Sequence, residues 1–348
     1  MMSAGTQQFP LPWTPAPPQL VMAYSVCKGI TRVAAKNFYY AFLVLPRRKR
    51  EALCAVYAFM RRCDDITDDP KLSMVERRQQ LEAWLDALHL AQQGNPTDDA
   101  ILLALTDAQR RFAIPAGLLD ELAHGTAMDV EEAEASMQTG SGVIHYRTFE
   151  DLRLYCYRVA SVVGLVCIHV FGYRDPAAEP LAEHCGLAFQ LTNIIRDVKE
   201  DASLGRVYLP EEDLSKFGLT LSDVLAVSDP ARLRPVLSLE ADRAREFYIA
   251  GDELISYISE DSQPALWVLI NIYRGLLEKI ALKQYDVFTT RVALSRWEKL
   301  RVLGKGFMRR LTLVSHRSCH PEWSERFGNA KRSRSRRIPF TNQLLWNS

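Results

Sequence analysis

The seven cysteines of this 348-residue chain include no C-x-x-C pair, which removes the usual thiol-redox and zinc-site spacings. They stand at 27, 54, 63, 156, 167, 185 and 319, mostly inside apolar runs. They read as buried thiols of a reducing, cytoplasmic setting, with neither disulfides nor zinc expected. No basic segment followed by an apolar stretch opens the chain. Its first eighteen residues carry five prolines instead, which argues against secretion and for a disordered arm over residues 1–20. The longest apolar runs, Val159–Phe171 and Ala265–Tyr273, are shorter than the roughly 20 residues a membrane-spanning helix needs, so none is expected. A glycine-rich dinucleotide fingerprint is also missing. Internal repeats of fixed period are absent, and strand-type alternation is almost so.

What is present is helical periodicity, repeated and closed by proline or glycine at plausible ends. A composition of 48% hydrophobic and 24% charged residues is ordinary for a globular protein with a sizeable core. Helices are predicted over 31–44, 47–69, 73–93, 98–113, 116–130, 148–171, 177–203, 229–260, 262–287 and 293–310. The fold class is therefore all-α. Gly94-Asn95-Pro96 and Gly140-Ser141-Gly142 are loops, and neither coincides with a compositional shift that would mark a domain boundary. One helical domain over 21–310, with extensions at both ends, is the economical description.

Charge is unevenly placed. Residues 301 to 337 hold eleven Lys or Arg against two Glu, a local +9 that leaves −8 on the remainder of a chain whose net charge is +1. The tail 311–348, with Lys331-Arg332-Ser333-Arg334-Ser335-Arg336-Arg337, is expected to be disordered. It either serves solubility alone or makes peripheral contact with an anionic membrane. Nucleic acid is not an expected partner, and the oligomeric state is left open.

Two acidic segments carry the functional reading: Asp64-Asp65-Ile66-Thr67-Asp68 and Asp197-Val198-Lys199-Glu200-Asp201. Aspartates four apart stack on one face of a helix, where like charges repel by a few tenths of a kcal/mol unless a cation intervenes. At about 100° per residue, Tyr57, Arg61, Asp64 and Asp68 fall within a stripe of roughly 60°, while Asp65 and Asp69 swing away. Gln190, Asn193, Asp197 and Asp201 fall within roughly 80°, in an otherwise apolar helix. A single Asp-x-x-x-Asp is usually a solvated face. Two of them, each with amide or basic companions, make an oxygen-only cage suited to Mg2+ and phosphate, with Mn2+ as a substitute.

Further stretches give these pairs a context: Asn37-Phe38-Tyr39-Tyr40-Ala41-Phe42, Tyr57 to Asp68, Tyr155-Cys156-Tyr157-Arg158-Val159-Ala160-Ser161-Val162-Val163-Gly164, Gln190 to Asp201, Gly205-Arg206-Val207-Tyr208-Leu209-Pro210, Tyr285-Asp286-Val287-Phe288 and Arg291. In that order, over about 270 residues, the chain resembles the squalene/phytoene synthase family, which joins two prenyl diphosphates head to head. The resemblance implies a single-domain isoprenoid synthase fold whose central cavity opens between two aspartate-rich helices. It places the metal ligands on Asp64, Asp68, Asp197 and Asp201, the same residues that the helix faces select.

Diphosphate would be held outside the metal cage by charge-assisted hydrogen bonds. The candidates are Lys36, Arg61, Arg206 and Arg291, with Gln190 and Asn193 beside them; for Arg61 the plain alternative is an intrahelical salt bridge. Tyr57, Tyr155, Tyr208 and Tyr273 match family positions lining the cavity, where an aromatic face stabilises a carbocation and a phenol relays a proton. Ordinary core packing is the competing account of each. Phe38, Phe42, Val159, Val163, Leu187 and Leu191 could wall a dry cavity. Two departures stand out: Ala34 and Ala35 lie where some members place polar, diphosphate-contacting residues, and the segment Glu131 to Gly142 is long, reading as a surface insertion.

Similarity is greatest to bacterial squalene-pathway enzymes, which implies condensation of two farnesyl diphosphates to presqualene diphosphate, with NADPH needed only if the reaction proceeds to squalene. Phytoene synthase, using two geranylgeranyl diphosphates, is the alternative. A terpene cyclase or a non-catalytic helical scaffold fits the residues less well.

Overall fold

The computed structural model describes residues 17–35, 38–138, 142–227 and 229–319. Helices α1 (Pro18–Ala34), α2 (Phe38–Phe42), α3 (Arg47–Thr67), α4 (Met74–Gln92), α5 (Ala100–Phe112) and α6 (Ala116–Gln138) lead to strand β1 (Ile144–His145). Then come α7 (Phe149–Cys156), a π-helical segment Tyr157–Ser161, α8 (Val162–Phe171), α9 (Ala178–Ser203), strand β2 (Arg206–Val207), α10 (Glu211–Lys216), α11 (Leu221–Ala226), α12 (Pro230–Leu254), α13 (Gln263–Leu282) and α14 (Arg296–Cys319). The all-α expectation holds; among the described residues the two strands form one short parallel ladder, Ile144 opposite Arg206 and His145 opposite Val207.

Local chemistry explains where these helices begin. Ser73 and Glu76 form a capping box at α4, as do Thr148 and Asp151 at α7 and Thr220 and Asp223 at α11. In each, the hydroxyl accepts from the third helical amide while the acid accepts from the cap's own N–H, satisfying two of the orphan donors of a helix start. Asp99 and Asp229 accept the first free amides of α5 and α12. The core is built around α9, which buries residues along its whole length from Ala178 to Ala202 and packs against α12, α8, α13 and the π segment.

Several expectations are corrected. The helix predicted over 31–44 is two helices, and α1 starts at Pro18, inside the arm assigned to 1–20. Its outer face exposes Val21, Met22, Val26 and Val33, which blurs the apolar-polar period that sequence reading relies on. Part of the segment read as an insertion, up to Gln138, continues α6. α10 and α11 are too short to have shown a period. α14 continues to Cys319, nine residues past its predicted end and into the stretch expected to be disordered.

The predicted single helix 148–171 contains the π segment. Taken as one run, Phe149–Phe171 is long and apolar enough to cross a membrane, contrary to the expectation that no run would be, although 56% of its apolar window is buried inside the protein.

That run meets α9 at unusually close range. A Cβ at Gly186 would lie 2.7 Å from both the Ala160 carbonyl oxygen and the Ser161 Cα, and one at Gly164 would lie 2.8 Å from the Ala182 carbonyl oxygen. Both contacts are with backbone, which cannot swing aside. Gly186→Ala is therefore expected to lower stability by about 1–3 kcal/mol through overpacking, read as a drop in the thermal midpoint by circular dichroism; an unchanged midpoint would contradict this packing.

Candidate active site

Inside the bundle lies a cavity of about 180 Å³. α3 contributes Leu53, Val56, Tyr57 and Met60; α9 contributes Ala182, Cys185, Gly186, Phe189, Gln190 and Asn193. Val159 and Ala160 of the π segment, α8 down to Phe171, and Phe38, Phe42, Leu254, Leu266, Leu269 and Tyr273 complete it. On α9 the lining becomes polar toward the C-terminal end, at Gln190 and Asn193, while on α3 Tyr57 is followed by Met60. One further turn, four residues on, carries Met60 to Asp64 and Asn193 to Asp197, and another turn reaches Asp68 and Asp201.

Of the candidate residues, Tyr57, Gln190, Asn193 and Tyr273 face this cavity. Burial raises the Tyr57 phenol above its ordinary pKa, with Arg61 opposing, so it stays protonated at neutral pH. The Asn193 amide donates to the Gln190 carbonyl at 3.5 Å, a long bond that leaves both amides available to other partners. The Tyr273 ring stacks on Phe189 with centroids 4.6 Å apart and lies 5.7 Å from Phe38. Among the expected wall residues, Phe38, Phe42, Val159 and Val163 line the cavity, whereas Leu187 and Leu191 are buried in the core and are not among its lining.

Tyr155 and Tyr208 sit elsewhere. They form a buried cluster with Tyr146: the Tyr155 and Tyr208 rings are 5.0 Å apart, the Tyr155 hydroxyl donates to that of Tyr208 at 3.2 Å, and Tyr146 is 5.4 Å from Tyr155. Tyr146 in turn donates to Glu132. Tyr208 also borders a small pocket of about 10 Å³ together with Asp201 and Arg206, so Arg206, at the start of β2, shares a surface with the second aspartate of α9. Lys36 lies outside the described residues.

The arginines have their own partners. Arg61 pairs with Asp65 at 2.5 Å across one turn, both side chains nearly half exposed. This is the intrahelical bridge weighed against its diphosphate role, made with the aspartate that the helix face had set aside. Arg291 donates to the Asp197 carboxylate at 2.8 and 3.1 Å and lies 3.5 Å from Glu200. Arg196, missed by sequence reasoning, holds the same carboxylate through both oxygens. The missed signal was adjacency: a search at spacings of three and four passes over the next residue along the chain.

Asp197 thus lies between two guanidinium groups. Burial alone would raise its pKa; the hydrogen bonds and charge of Arg196, then Arg291, outweigh that and hold it below the usual carboxylate range. Glu200 moves the other way, pushed up by burial and by its hydrogen bond to Asp197.

A profile of the squalene/phytoene synthase family matches residues 31–298. The chain belongs to that family. A phytoene synthase of Mycobacterium tuberculosis is 36% identical over 310 residues, covering 87% of this chain and 94% of that one. The 15-cis-phytoene synthase of Synechococcus elongatus is 34% identical over 305 residues, covering 84% and 94%. Among solved structures the chain is similar to a ligand-bound dehydrosqualene synthase, with a TM-score of 0.73 and 28% identity over 85% of this chain and 98% of that one. It is also similar to the squalene synthase HpnC of Alicyclobacillus acidocaldarius, with a TM-score of 0.69 and 29% identity over 78% and 97%. The chain has the all-α isoprenoid synthase fold of these structures.

As a carboxylate whose pKa is depressed on folding, Asp197 contributes stability that is present above the unfolded value of about 3.9 and lost as pH falls through the folded one. Arg291, more than half exposed, supplies a screened and smaller share than Arg196. The midpoint difference between wild type and Asp197→Asn at neutral pH is expected to shrink as pH falls below about 4. A difference independent of pH would show that the carboxylate's charge is not what stabilises.

Proposed function

We propose that this chain joins two prenyl diphosphates head to head with release of diphosphate. The observation that carries this reading is one apolar cavity whose polar wall, Tyr57 on α3 with Gln190 and Asn193 on α9, leads along both helices into an aspartate pair. The cavity takes a prenyl chain, and the helix ends take its diphosphate.

Asp64, Asp68, Asp197 and Asp201 offer oxygen donors only, which fits Mg2+, with Mn2+ as a substitute. Among the described residues no three His, Cys, Asp or Glu gather into a metal cage, so the expected oxygen-only cage is not formed by the side chains alone, and an ion there would need water and substrate phosphate to complete its shell. When bound there, Mg2+ would neutralise the charge that builds on the leaving diphosphate.

The chain's own groups supply the rest. Arg291 and Arg196, already at Asp197, and Arg206 beside Asp201 can turn their donors to phosphate oxygens. Departure of diphosphate leaves an allylic cation at C1 of one prenyl chain. The C2=C3 bond of the second attacks it, and loss of a proton closes a cyclopropane. The stacked rings of Tyr273 and Phe189, with Phe38 tilted beside them, can stabilise that cation without attacking it. The apolar wall keeps out water, which would quench it to an alcohol.

For the donor we favour the C15 diphosphate, giving presqualene diphosphate, with NADPH required only for onward conversion to squalene. The similarity to the solved dehydrosqualene synthase and to the squalene synthase HpnC, at 28% and 29% identity, supports the shorter chain. A second reading, condensation of C20 donors to phytoene, is supported by the phytoene synthases at 34% and 36% identity.

Incubation of the purified protein with Mg2+ and either diphosphate, with and without NADPH, followed by mass spectrometry, separates them. A cyclopropyl diphosphate from C15 alone is expected. Phytoene from C20 would replace the chain-length assignment, and no diphosphate release from either substrate would end the enzyme reading. Asp64→Ala and Asp197→Ala should each reduce turnover on the order of 100-fold or more with helical circular dichroism preserved; full activity in either would refute the role given to the pairs.

A further inference from the structure

The segment of α14 from Arg296 to Arg310 is apolar on the side that faces water. Its inner side packs through Leu303, half-buried Val302 and the buried backbone of Gly306. Its outer side carries Trp297, 81% exposed, Met308, 63%, Leu300, 44%, and Phe307, 39%. At about 100° per residue these four fall within a stripe of roughly 100°. An ordinary surface helix puts its polar residues there.

The stripe is edged by charge of one sign. Arg301 and Lys305 follow on one side and Arg296 on the other, all exposed. The single acid of residues 296–310 is Glu298. It is held by Lys279 at 2.8 Å and caps the Ser295 amide, so it does not offset the basic edge.

We propose that this face of α14 is a docking surface for a membrane containing anionic lipid. Trp, Phe, Leu and Met would enter the boundary between headgroups and acyl chains while Arg and Lys pair with lipid phosphate, the pattern of a helix lying in the interface plane. The charge argues against a second copy of the chain: a two-fold interface sets the same patch against itself, bringing basic edges together with no acid between them. The surface is defined by α14 alone and is independent of the reaction proposed above, so binding and turnover can fail separately.

The test is co-sedimentation of the full-length protein with vesicles of phosphatidylcholine alone or with added phosphatidylglycerol, at low and high salt. Binding is expected to the anionic vesicles, to weaken with salt, and to fall about tenfold or more in Trp297→Ser/Met308→Ser and, separately, in Arg301→Glu/Lys305→Glu. All four side chains are exposed, and if one pair fails to fold the other decides. A chain with Lys331, Arg332, Arg334, Arg336 and Arg337 changed to Ser should keep its dependence on Trp297 and Met308. Absence of binding by the wild type, wild-type binding by the α14 variants, or dependence on the 331–337 cluster alone would overturn the proposal. So would a dimer that the α14 variants dissociate, which would make a second copy the occupant.

Discussion

The contact between the backbone of the π segment and that of α9 organises the molecule. Gly186 lets the two approach until a single added carbon would sit 2.7 Å from the Ala160 carbonyl oxygen, and Gly164 does the same one step along. Helices that cross this closely share no side-chain layer at the crossing, so the space for side chains opens on either side of it. On one side that space is the cavity; on the other it is core, filled where α9 meets α12. The length of α9, 26 residues, then carries the same helix from the cavity wall to the acidic end.

Electrostatics at that acidic end follow from this arrangement. A helix buried along most of its length brings Asp197 into a partly desolvated place, where an isolated carboxylate would be costly. The structure meets the cost with two arginines from different parts of the chain: Arg196, next to Asp197 in sequence, and Arg291, from the segment after α13. At the end of α3, Asp68 is exposed, and Asp64, like Asp197, is half-buried. The two pairs look alike in sequence and differ in environment.

Helical periodicity made much of this readable. The all-α class and the cavity-facing position of Tyr57, Gln190 and Asn193 follow from counting residues along regular helices. What could not be read has more than one physical origin. Arg61 turned to Asp65, a competition between two neighbouring carboxylates that a wheel diagram does not rank. Arg196 acts on its sequence neighbour. The resemblance placed Tyr155 and Tyr208 along the cavity, whereas in the structure they meet each other and Tyr146. α1 escaped notice because its exposed face is apolar, and α14 was cut short because its basic residues read as tail.

The π segment bears on how this chain can change over time. A π turn accommodates one residue more than an α turn does, so Tyr157–Ser161 acts as a phase shift between α7 and α8. Upstream of it, Tyr155 points into the tyrosine cluster; downstream, Val163, Gly164 and Cys167 point into the cavity. Removing one residue would restore a regular helix and rotate one of these two faces away from its partners. Substitutions along this helix are separable, one side chain at a time, but changes of length are not: the chain can be edited here in its letters and hardly at all in its spacing.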